Sequence, residues 1–161
     1  MKTKELIEKA TKTHKFLAGG IGLFLGAIGV FAFFEKCTTE NVSGNWYIEL
    51  RVEKSAYKPY IGETHTQKVF FIQNENSVRG DGEKWEYNSK YLPAEAHRKL
   101  EYEGFMDGST LFAKYVLHGL KRVSEGSITV EISNDGKTME GTFMGTAGES
   151  SGTLKGRKIE G

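Results

Sequence analysis

The histidines are the side chains of this sequence best suited to bind a metal or to act as a general base. There are four of them, His14, His65, His97 and His118. Their spacing fits neither His-Glu-x-x-His nor another metal-ligand cluster. Serine nucleophile elbows, phosphate-cradling glycine loops and paired catalytic carboxylates are absent or indistinguishable from turns. We therefore expect a protein that is not an enzyme and that uses no metal and no cofactor.

The charge and the composition of the chain exclude further classes of protein. The formal net charge is +1 over 161 residues, which is too small for the electrostatic field that a nucleic acid polymer or an anionic surface would need. The single cysteine, Cys37, excludes an intramolecular disulfide framework. Twenty glycines and only two prolines favour a chain of many short strands. An apolar core must therefore hold an all-β domain together.

One uncharged segment predicts a membrane span. The nineteen residues 16–34 carry no charge, and as a helix they would reach roughly 28 Å, close to the roughly 30 Å of a bilayer's hydrocarbon core. We expect a basic head at 1–15, a transmembrane helix at 16–34 and a linker at 35–43. The expected location is the cell inner membrane, with a single pass.

A cleaved signal peptide is the alternative for this segment, because Val30-Phe31-Ala32 offers small or medium residues where a peptidase would cut. The apolar run exceeds the roughly 7 to 15 residues usual in signal peptides, which favours the anchor. Five lysines precede the run and Lys36 follows it closely, so the positive-inside rule places the amino terminus in the cytoplasm and the body outside. A sensor of a cytosolic ligand would favour the opposite arrangement or a re-entrant helix, so both orientations are kept as alternatives.

A stripe of small residues runs along the predicted helix. Ala18, Gly22 and Gly26 recur every fourth residue, and Gly29 and Ala32 continue the stripe in three-residue steps. Small residues at this spacing let two helices approach closely in lipid, although glycine is also common in membrane helices in general. We expect a homo-oligomer that forms through this helix.

The body of the chain shows the two-residue period of strands. Between 46 and 53, Trp46, Ile48, Leu50 and Val52 alternate with tyrosine and charged residues. Turn residues such as Asn134-Asp135-Gly136 separate further segments of this kind. The other predicted strands are 64–74, 77–87, 99–106, 110–118, 128–133, 139–145 and 151–159.

Eight strands in up-and-down order predict an antiparallel β-barrel over 44–161, because closure removes the adhesive edges of an open sheet. Gly141, Gly145, Gly152 and Gly156 would let the strands coil and approach one another. Residues 93–100 have good helix propensity, and a short helix there could plug or cover the barrel.

The start of the first strand, Ser43-Gly44-Asn45-Trp46-Tyr47, resembles the Gly-x-Trp opening of lipocalin-like (calycin-type) barrels. In lipocalins the tryptophan faces a basic residue across the floor of the barrel, and Arg157 on the last strand would take that part here. The resemblance implies a structural cation–π contact between Trp46 and Arg157, worth about 0.5 to 2 kcal/mol.

With its amino-terminal segment, the chain also resembles the membrane-anchored β-barrel effectors of bacterial cyclic-oligonucleotide antiphage signalling (CBASS). The resemblance covers 16–161 and rests on layout, through the Trp46 strand, the strand with Phe70-Phe71-Ile72-Gln73 and the glycine-rich final hairpin. It implies a barrel that binds a cyclic nucleotide, ligand-driven assembly, and disruption of the inner membrane. Those effectors usually have two membrane segments, whereas this sequence shows one.

A site for such a ligand needs aromatic faces for a base and cations for phosphate. An eight-stranded barrel is just wide enough for one small ligand. The candidate side chains are Trp85, Tyr87, Tyr102 and Tyr115 on the middle strands, and Arg79, Arg98 and Arg122 near strand ends. The aromatic residues also suit a core or an outer ring, and the arginines a plain surface. Five phenylalanines could instead fill the lumen, namely Phe70, Phe71, Phe105, Phe112 and Phe143.

Two functions follow from these patterns. The first is a membrane-tethered effector whose barrel senses a cyclic nucleotide second messenger and whose helix oligomerises to disrupt the inner membrane in antiphage defence by abortive infection. The second is a membrane-anchored, lipocalin-like binding module outside the cytoplasm, for a small apolar ligand or a partner protein.

Overall fold

The structure is a computed structural model that describes residues 40–120 and 122–160. Within these residues the chain forms nine β-strands and three short 3-10 helices. The strands are β1 (Gly44–Lys54), β2 (Thr64–Asn74), β3 (Ser77–Tyr87), β4 (Lys90–Tyr91), β5 (Arg98–Asp107), β6 (Thr110–His118), β7 (Val123–Ile132), β8 (Thr138–Gly145) and β9 (Ser150–Ile159). The 3-10 helices are Lys58–Tyr60, Ala94–Ala96 and Ala147–Glu149.

Eight of these strands close into a barrel. β1 pairs with β2 on one side and with β9 on the other, and β2 pairs with β3. The remaining neighbours follow in the order β3, β5, β6, β7, β8 and β9, and all pairs are antiparallel. The two-residue β4 pairs with β3 outside this ring. The predicted all-β, eight-stranded, antiparallel up-and-down barrel is confirmed.

Strand boundaries agree with the predicted ones where the apolar alternation is regular. The segments 64–74, 77–87 and 110–118 match β2, β3 and β6. β7 begins at Val123, five residues before the predicted 128, because its first half pairs with β6 but carries few apolar residues. The segment 93–100 forms only a three-residue 3-10 helix before β5 begins.

The two-residue period of each strand decides which side chains face the lumen. On β1, Trp46, Ile48, Leu50 and Val52 are buried, whereas the residues between them face outward. Each fully buried apolar side chain of this kind stabilises the fold by about 1.5 to 3 kcal/mol. Of the phenylalanines considered as lumen fillers, Phe71 and Phe143 are buried, whereas Phe70, Phe105 and Phe112 lie exposed on the outer surface.

Glycine permits close approach between strands at two positions in particular. A Cβ atom on Gly152 would lie 1.9 Å from the carbonyl oxygen of Arg51, and one on Gly141 would lie 2.1 Å from that of Thr129. No other residue type fits such distances without moving the backbone. These glycines let the last strands curve and complete the ring, as the glycine pattern predicts.

The residues that precede β1 seal one end of the barrel. The Val42 side chain is buried, and its carbonyl oxygen accepts a 2.7 Å hydrogen bond from the Trp46 indole N–H. The backbone N–H of Val42 donates to the Gln73 side-chain oxygen at 2.9 Å. The side chains of Trp46, Val42 and Gln73 together close the lumen at this end, and the indole N–H and the Val42 backbone groups are hydrogen-bonded.

The expected contact between Trp46 and Arg157 is wrong. Arg157 stands opposite Tyr47 in the β1–β9 register, and its guanidinium carbon lies 4.9 Å from the Tyr47 ring centroid on the outer surface. The next residue, Lys158, stands opposite Trp46, and its Nζ lies 5.6 Å from the Trp46 ring centroid. Because the side-chain period is two, a shift of one residue exchanges the inner and outer faces. The lysine therefore takes the structural part expected of the arginine.

Several predictions concern residues 1–39, which lie outside the described part of the chain. They include the basic head, the transmembrane helix at 16–34 and its stripe of Ala18, Gly22, Gly26 and Gly29. In the described ranges 40–120 and 122–160, no helix combines the length and the apolar character that crossing a membrane demands.

We expect Trp46→Ala to lower the free energy of unfolding by about 3 to 5 kcal/mol, because it leaves a cavity and an unpaired carbonyl at the sealed end. Urea denaturation followed by Trp85 fluorescence measures the change. The control is Glu49→Ala, on the exposed face of the same strand, which should stay within about 0.5 kcal/mol of the parent protein. A loss as small as the control's would contradict the sealing role of Trp46.

Candidate functional site

The barrel has a cavity at the end opposite to Trp46. Its volume is about 340 Å³, and side chains of β1, β2, β3, β6, β7, β8 and β9 surround it. We call this cavity and its lining the lumen site. The lining residues are Leu50, Val52, Tyr60, Glu63, His65, Gln67, Lys84, Tyr87, Tyr115, Leu117, Arg122, Ser124, Phe143, Gly145, Ala147 and Ser150.

The cavity exists because the inward-facing residues become small or polar towards this end. Ser124, Gly145 and Ser150 occupy lining positions where the strands of the last hairpins reach the opening. At the sealed end, large side chains such as Trp46 and Met139 fill the corresponding space. Since an eight-stranded barrel is just wide enough for its own side chains, shortening them on one side is sufficient to open a pocket.

A polar network crosses the wall formed by β2 and β3. His65 and Lys84 both face inward, and the Lys84 amine is hydrogen-bonded to His65 Nδ1. His65 Nε2 lies 3.6 Å from a carboxylate oxygen of Glu63. The Tyr87 hydroxyl donates a hydrogen bond to the other oxygen of that carboxylate. The network places an acid, an imidazole, an amine and a phenol around one small volume.

A β-bulge at Trp85 places Tyr87 in this network. The β2–β3 register shifts between Thr66 and Gln67, so that β3 contains one extra residue there. Trp85 is that residue, and it faces outward because the preceding Lys84 faces inward. Its ring stacks on Tyr47 at 5.6 Å, and the Lys68 amine lies 3.6 Å from its centroid. Beyond the bulge the inward parity of β3 reverses, so that Tyr87 stands opposite His65 and lines the lumen site.

Burial shifts the pKa values of the basic groups in the lumen site downward. The pKa of His65 is lowered to about 4, first by burial and then by the charge of Lys84. Burial also lowers the pKa of Lys84 to about 8; the Glu63 carboxylate opposes this shift and the Arg98 guanidinium adds to it. At neutral pH His65 is therefore neutral, and Lys84 is a cation that loses its proton easily.

Tyrosines form the floor and sides of the cavity. Burial raises the pKa of Tyr115 to about 12, and burial together with the hydrogen bond to Glu63 raises that of Tyr87 to about 12. Tyr102 lies deeper, where its hydroxyl donates to Gln67 at 2.6 Å and burial raises its pKa strongly. These phenols stay protonated at neutral pH, so they offer hydrogen-bond donors and ring faces but no negative charge.

The structure brings together only part of the predicted set of ligand-binding residues. Tyr87, Tyr115 and Arg122 line the lumen site. Tyr102 lies beneath it in the core, with its ring 5.8 Å from that of Tyr115. Arg122 reaches towards the opening, where its guanidinium lies 3.5 Å from the Tyr60 hydroxyl.

The other three predicted residues lie elsewhere. Trp85 and Arg79 are on the outer surface, in separate shallow depressions. The Arg98 guanidinium folds back onto the preceding 3-10 segment and donates to the carbonyl oxygens of Glu95 and His97 at 2.9 and 2.6 Å. Its charge still acts on Lys84, although its side chain does not line the cavity.

The sequence reasoning missed Glu63, His65, Gln67 and Lys84, although a signal for three of them was available. On β2, His65 and Gln67 share the inward parity of Val69 and Phe71. On β3, Lys84 shares the parity of Val78, which is buried. Polar residues at the inward positions of a barrel strand predict a polar lumen, but the bulge at the β2–β3 pair obscures the parity beyond it.

The remaining described histidines are hydrogen-bonded to carboxylates. His97 Nδ1 lies 3.0 Å from Glu83, and His118 Nε2 lies 3.0 Å from Glu101. Across the described ranges, histidine, cysteine, aspartate and glutamate side chains do not gather in threes that could hold a metal ion.

Comparison with known proteins supports the fold and leaves the site unassigned. No protein-family model matches this chain, and no curated protein matches it. Among solved structures, a redesigned β-barrel aligns with a TM-score of 0.58 and 9% sequence identity, over 78% of this chain and 98% of the other. A likeness at this identity establishes the fold alone. The class of the protein is therefore an eight-stranded antiparallel β-barrel.

Lys84→Met should raise the free energy of unfolding at pH 7 by about 1 to 2 kcal/mol, because it removes a buried charge but keeps the apolar stem. Lys68→Met is the matched control. Lys68 lies over the Trp85 ring on the outer surface, so its loss should lower stability by about 0.5 to 1 kcal/mol. Urea denaturation at constant pH measures both, and a destabilised Lys84→Met would show that the amine supports the fold.

The lowered pKa of His65 predicts a loss of stability in acid. Because His65 binds a proton with a pKa of about 4 when folded and 6.5 as a free side chain, the unfolded chain holds more protons between these values. Stability should therefore decrease by about 2 to 3 kcal/mol as the pH falls from 6.5 to 4. His65→Gln should flatten the profile across that window. The exposed His118→Gln should leave it unchanged, and a profile that His65→Gln does not alter would refute the assignment.

Proposed function

We propose that this protein is a membrane-tethered sensor, not an enzyme, whose barrel binds a small anionic ligand with a planar ring in the lumen site. One observation carries the proposal: two cationic side chains, Lys84 and Arg122, line a cavity whose other polar walls include tyrosines. Cations and aromatic rings around one pocket are the groups that bind a phosphate and a base.

The balance of charge in the lumen site favours an anion. Glu63 is the single acidic side chain of the lining, and its carboxylate already accepts a hydrogen bond from the Tyr87 hydroxyl. Lys84 and Arg122 supply two positive charges, and the charge of Arg98 acts on the same region. An anion would also raise the pKa of Lys84 towards its ordinary value, which couples binding to a proton.

The size and the ring content of the cavity favour a nucleotide unit. Tyr60, Tyr87 and Tyr115 offer aromatic surface around a volume of about 340 Å³, at the lower end of the roughly 300 to 1,000 Å³ of ligand pockets. A cyclic oligonucleotide would place one base and its phosphate inside, with the rest at the opening. The proposed ligand is accordingly a cyclic nucleotide second messenger.

The proposed output is disruption of the inner membrane. It is supported by the uncharged run at 16–34 and its stripe of Ala18, Gly22, Gly26 and Gly29, and by the resemblance to CBASS effectors. Ligand in the barrel would favour assembly of the tethered chains, and the gathered helices would permeabilise the membrane. The biological role would be antiphage defence through abortive infection.

An apolar ligand is the second candidate, since Leu50, Val52, Leu117 and Phe143 form the other part of the wall. These side chains suit an acyl chain with its polar end at the opening. The protein would then be a binding module on the outer side of the membrane.

We expect the full-length protein in detergent micelles to be stabilised thermally by one or more members of a panel of cyclic di- and trinucleotides. Lys84→Met and Arg122→Ala should each weaken that ligand at least about tenfold, since each removes a charge-assisted contact. Affinity should fall as the pH rises through about 8, where Lys84 loses its proton. Arg79→Ala, on the outer surface, is the control and should bind normally.

The same ligand should release a trapped dye from liposomes that contain the full-length protein. Stabilisation by a fatty acid but by no nucleotide would favour the second candidate. Stabilisation by neither class would refute a ligand-binding role for the lumen site, and binding without dye release would refute the membrane output.

A further inference from the structure

The side chains Glu63, His65 and Lys84 form a connected series in the lumen site. The Lys84 amine is hydrogen-bonded to His65 Nδ1, so a neutral His65 that accepts there carries its proton on Nε2. That nitrogen lies 3.6 Å from the Glu63 carboxylate. A nucleophile beside a base that a third group orients is the arrangement that activates nucleophiles in proteins.

We propose that Lys84 captures aldehydes covalently, by condensing with an aromatic or conjugated aldehyde that enters the lumen site. The proposal rests on the proposed function only in that both use this cavity. It adds a reaction that ion pairing with a phosphate does not involve. No oxidant, reductant or metal is required.

The reaction is balanced with the groups present. The unprotonated Lys84 nitrogen forms a bond to the carbonyl carbon, and one proton passes from that nitrogen through His65 Nδ1 to the carbonyl oxygen, which becomes a hydroxyl. The carbon–oxygen bond then breaks as the nitrogen lone pair forms the carbon–nitrogen double bond, and the departing hydroxide takes a proton from solvent to leave as water. One aldehyde, one unprotonated amine and one solvent proton give one protonated imine and one water. The Glu63 carboxylate is placed to balance the charge of the protonated imine.

The surroundings of Lys84 support nucleophilic chemistry at neutral pH. Facing groups are His65 and Glu63 on the β2 side, Tyr87 on β3 with its ring centroid 4.8 Å from the amine, and Arg98 on β5. With a pKa of about 8, roughly a fifth of the amine is unprotonated at pH 7.4, against about a thousandth for a solvated lysine.

The walls of the cavity select the class of aldehyde. The Tyr87 ring centroid lies 4.8 Å from the amine, and Tyr115, Leu117 and Phe143 add aromatic and apolar surface to the same lining. Such a lining binds a flat, conjugated molecule better than a short hydrophilic one. The Lys84 amine and this aromatic and apolar lining belong to the same lumen site. One small molecule can therefore place its carbonyl carbon at the amine and its ring against the lining.

The test uses the full-length protein in detergent micelles with two probes, cinnamaldehyde, which has no charge, and pyridoxal 5′-phosphate, which is anionic. Sodium cyanoborohydride fixes the imine, and peptide mass mapping locates it. We expect Lys84 to be labelled at least about tenfold faster than Lys68, with a half-maximal rate near pH 8 where its pKa lies. Lys84→Met should abolish the fast reaction, and His65→Gln should slow it, with folding checked by thermal denaturation. Lys68→Met should leave it unchanged.

The proposal would be overturned if Lys84 is labelled no faster than Lys68. It would also be overturned if the labelling rate rises only near the pH at which a solvated lysine loses its proton. If cinnamaldehyde labels Lys84 fast and the protein binds no cyclic nucleotide, covalent capture is supported and the proposed function is refuted. Nucleotide binding without fast labelling would leave the proposed function standing and refute covalent capture.

Discussion

Pairing of the first long strand with the last is the constraint on which the rest of this structure depends. The β1–β9 ladder runs from Asn45↔Ile159 to Lys54↔Ser151 and leaves the ring without a free edge. Backbone groups that an open sheet would expose to other chains are satisfied within the molecule. Closure also separates every strand into an inner and an outer set of side chains, so each inward position affects the volume of one shared lumen.

The two ends of that lumen have opposite character, and the difference arises from side-chain size. At one end Trp46, Val42 and Met139 fill the space, and the indole N–H has a partner. At the other end the small Ser124 and Gly145 leave a cavity. A barrel with one sealed and one open end can bind a ligand without changing its strands, because the sealed end supplies the stability that the open end lacks.

Two side chains at the open end, His65 and Lys84, do not increase the stability of the fold. Burial disfavours the charged form of Lys84 and the protonated form of His65, as their lowered pKa values indicate. A hydrophobic residue at either position would bury its surface without this penalty. Perturbed basic groups inside a cavity are more typical of a binding or reactive site than of a core, and both proposals made above use this property.

The sequence by itself determined the fold class, the number of strands in the barrel and most strand positions, because period-two alternation and turn residues act locally. It also predicted Tyr87, Tyr115 and Arg122 as ligand-binding residues, and these line the lumen site. It did not determine the partner of Trp46, where a one-residue difference in register selected Lys158 instead of Arg157. The span at 16–34 remains a prediction from the sequence.

Only the tertiary structure decided which side chains share the lumen. The bulge opposite Thr66 and Gln67 brought Tyr87 to the inward side, opposite His65, whereas unbroken alternation from Val78 would have placed it outside, and no local sequence pattern predicts such an insertion. The meeting of Glu63, His65 and Lys84 likewise depends on two strands in a particular register. Alternation along one strand is a property of its own residues, whereas the contacts across the barrel depend on how all eight strands are aligned when the ring closes.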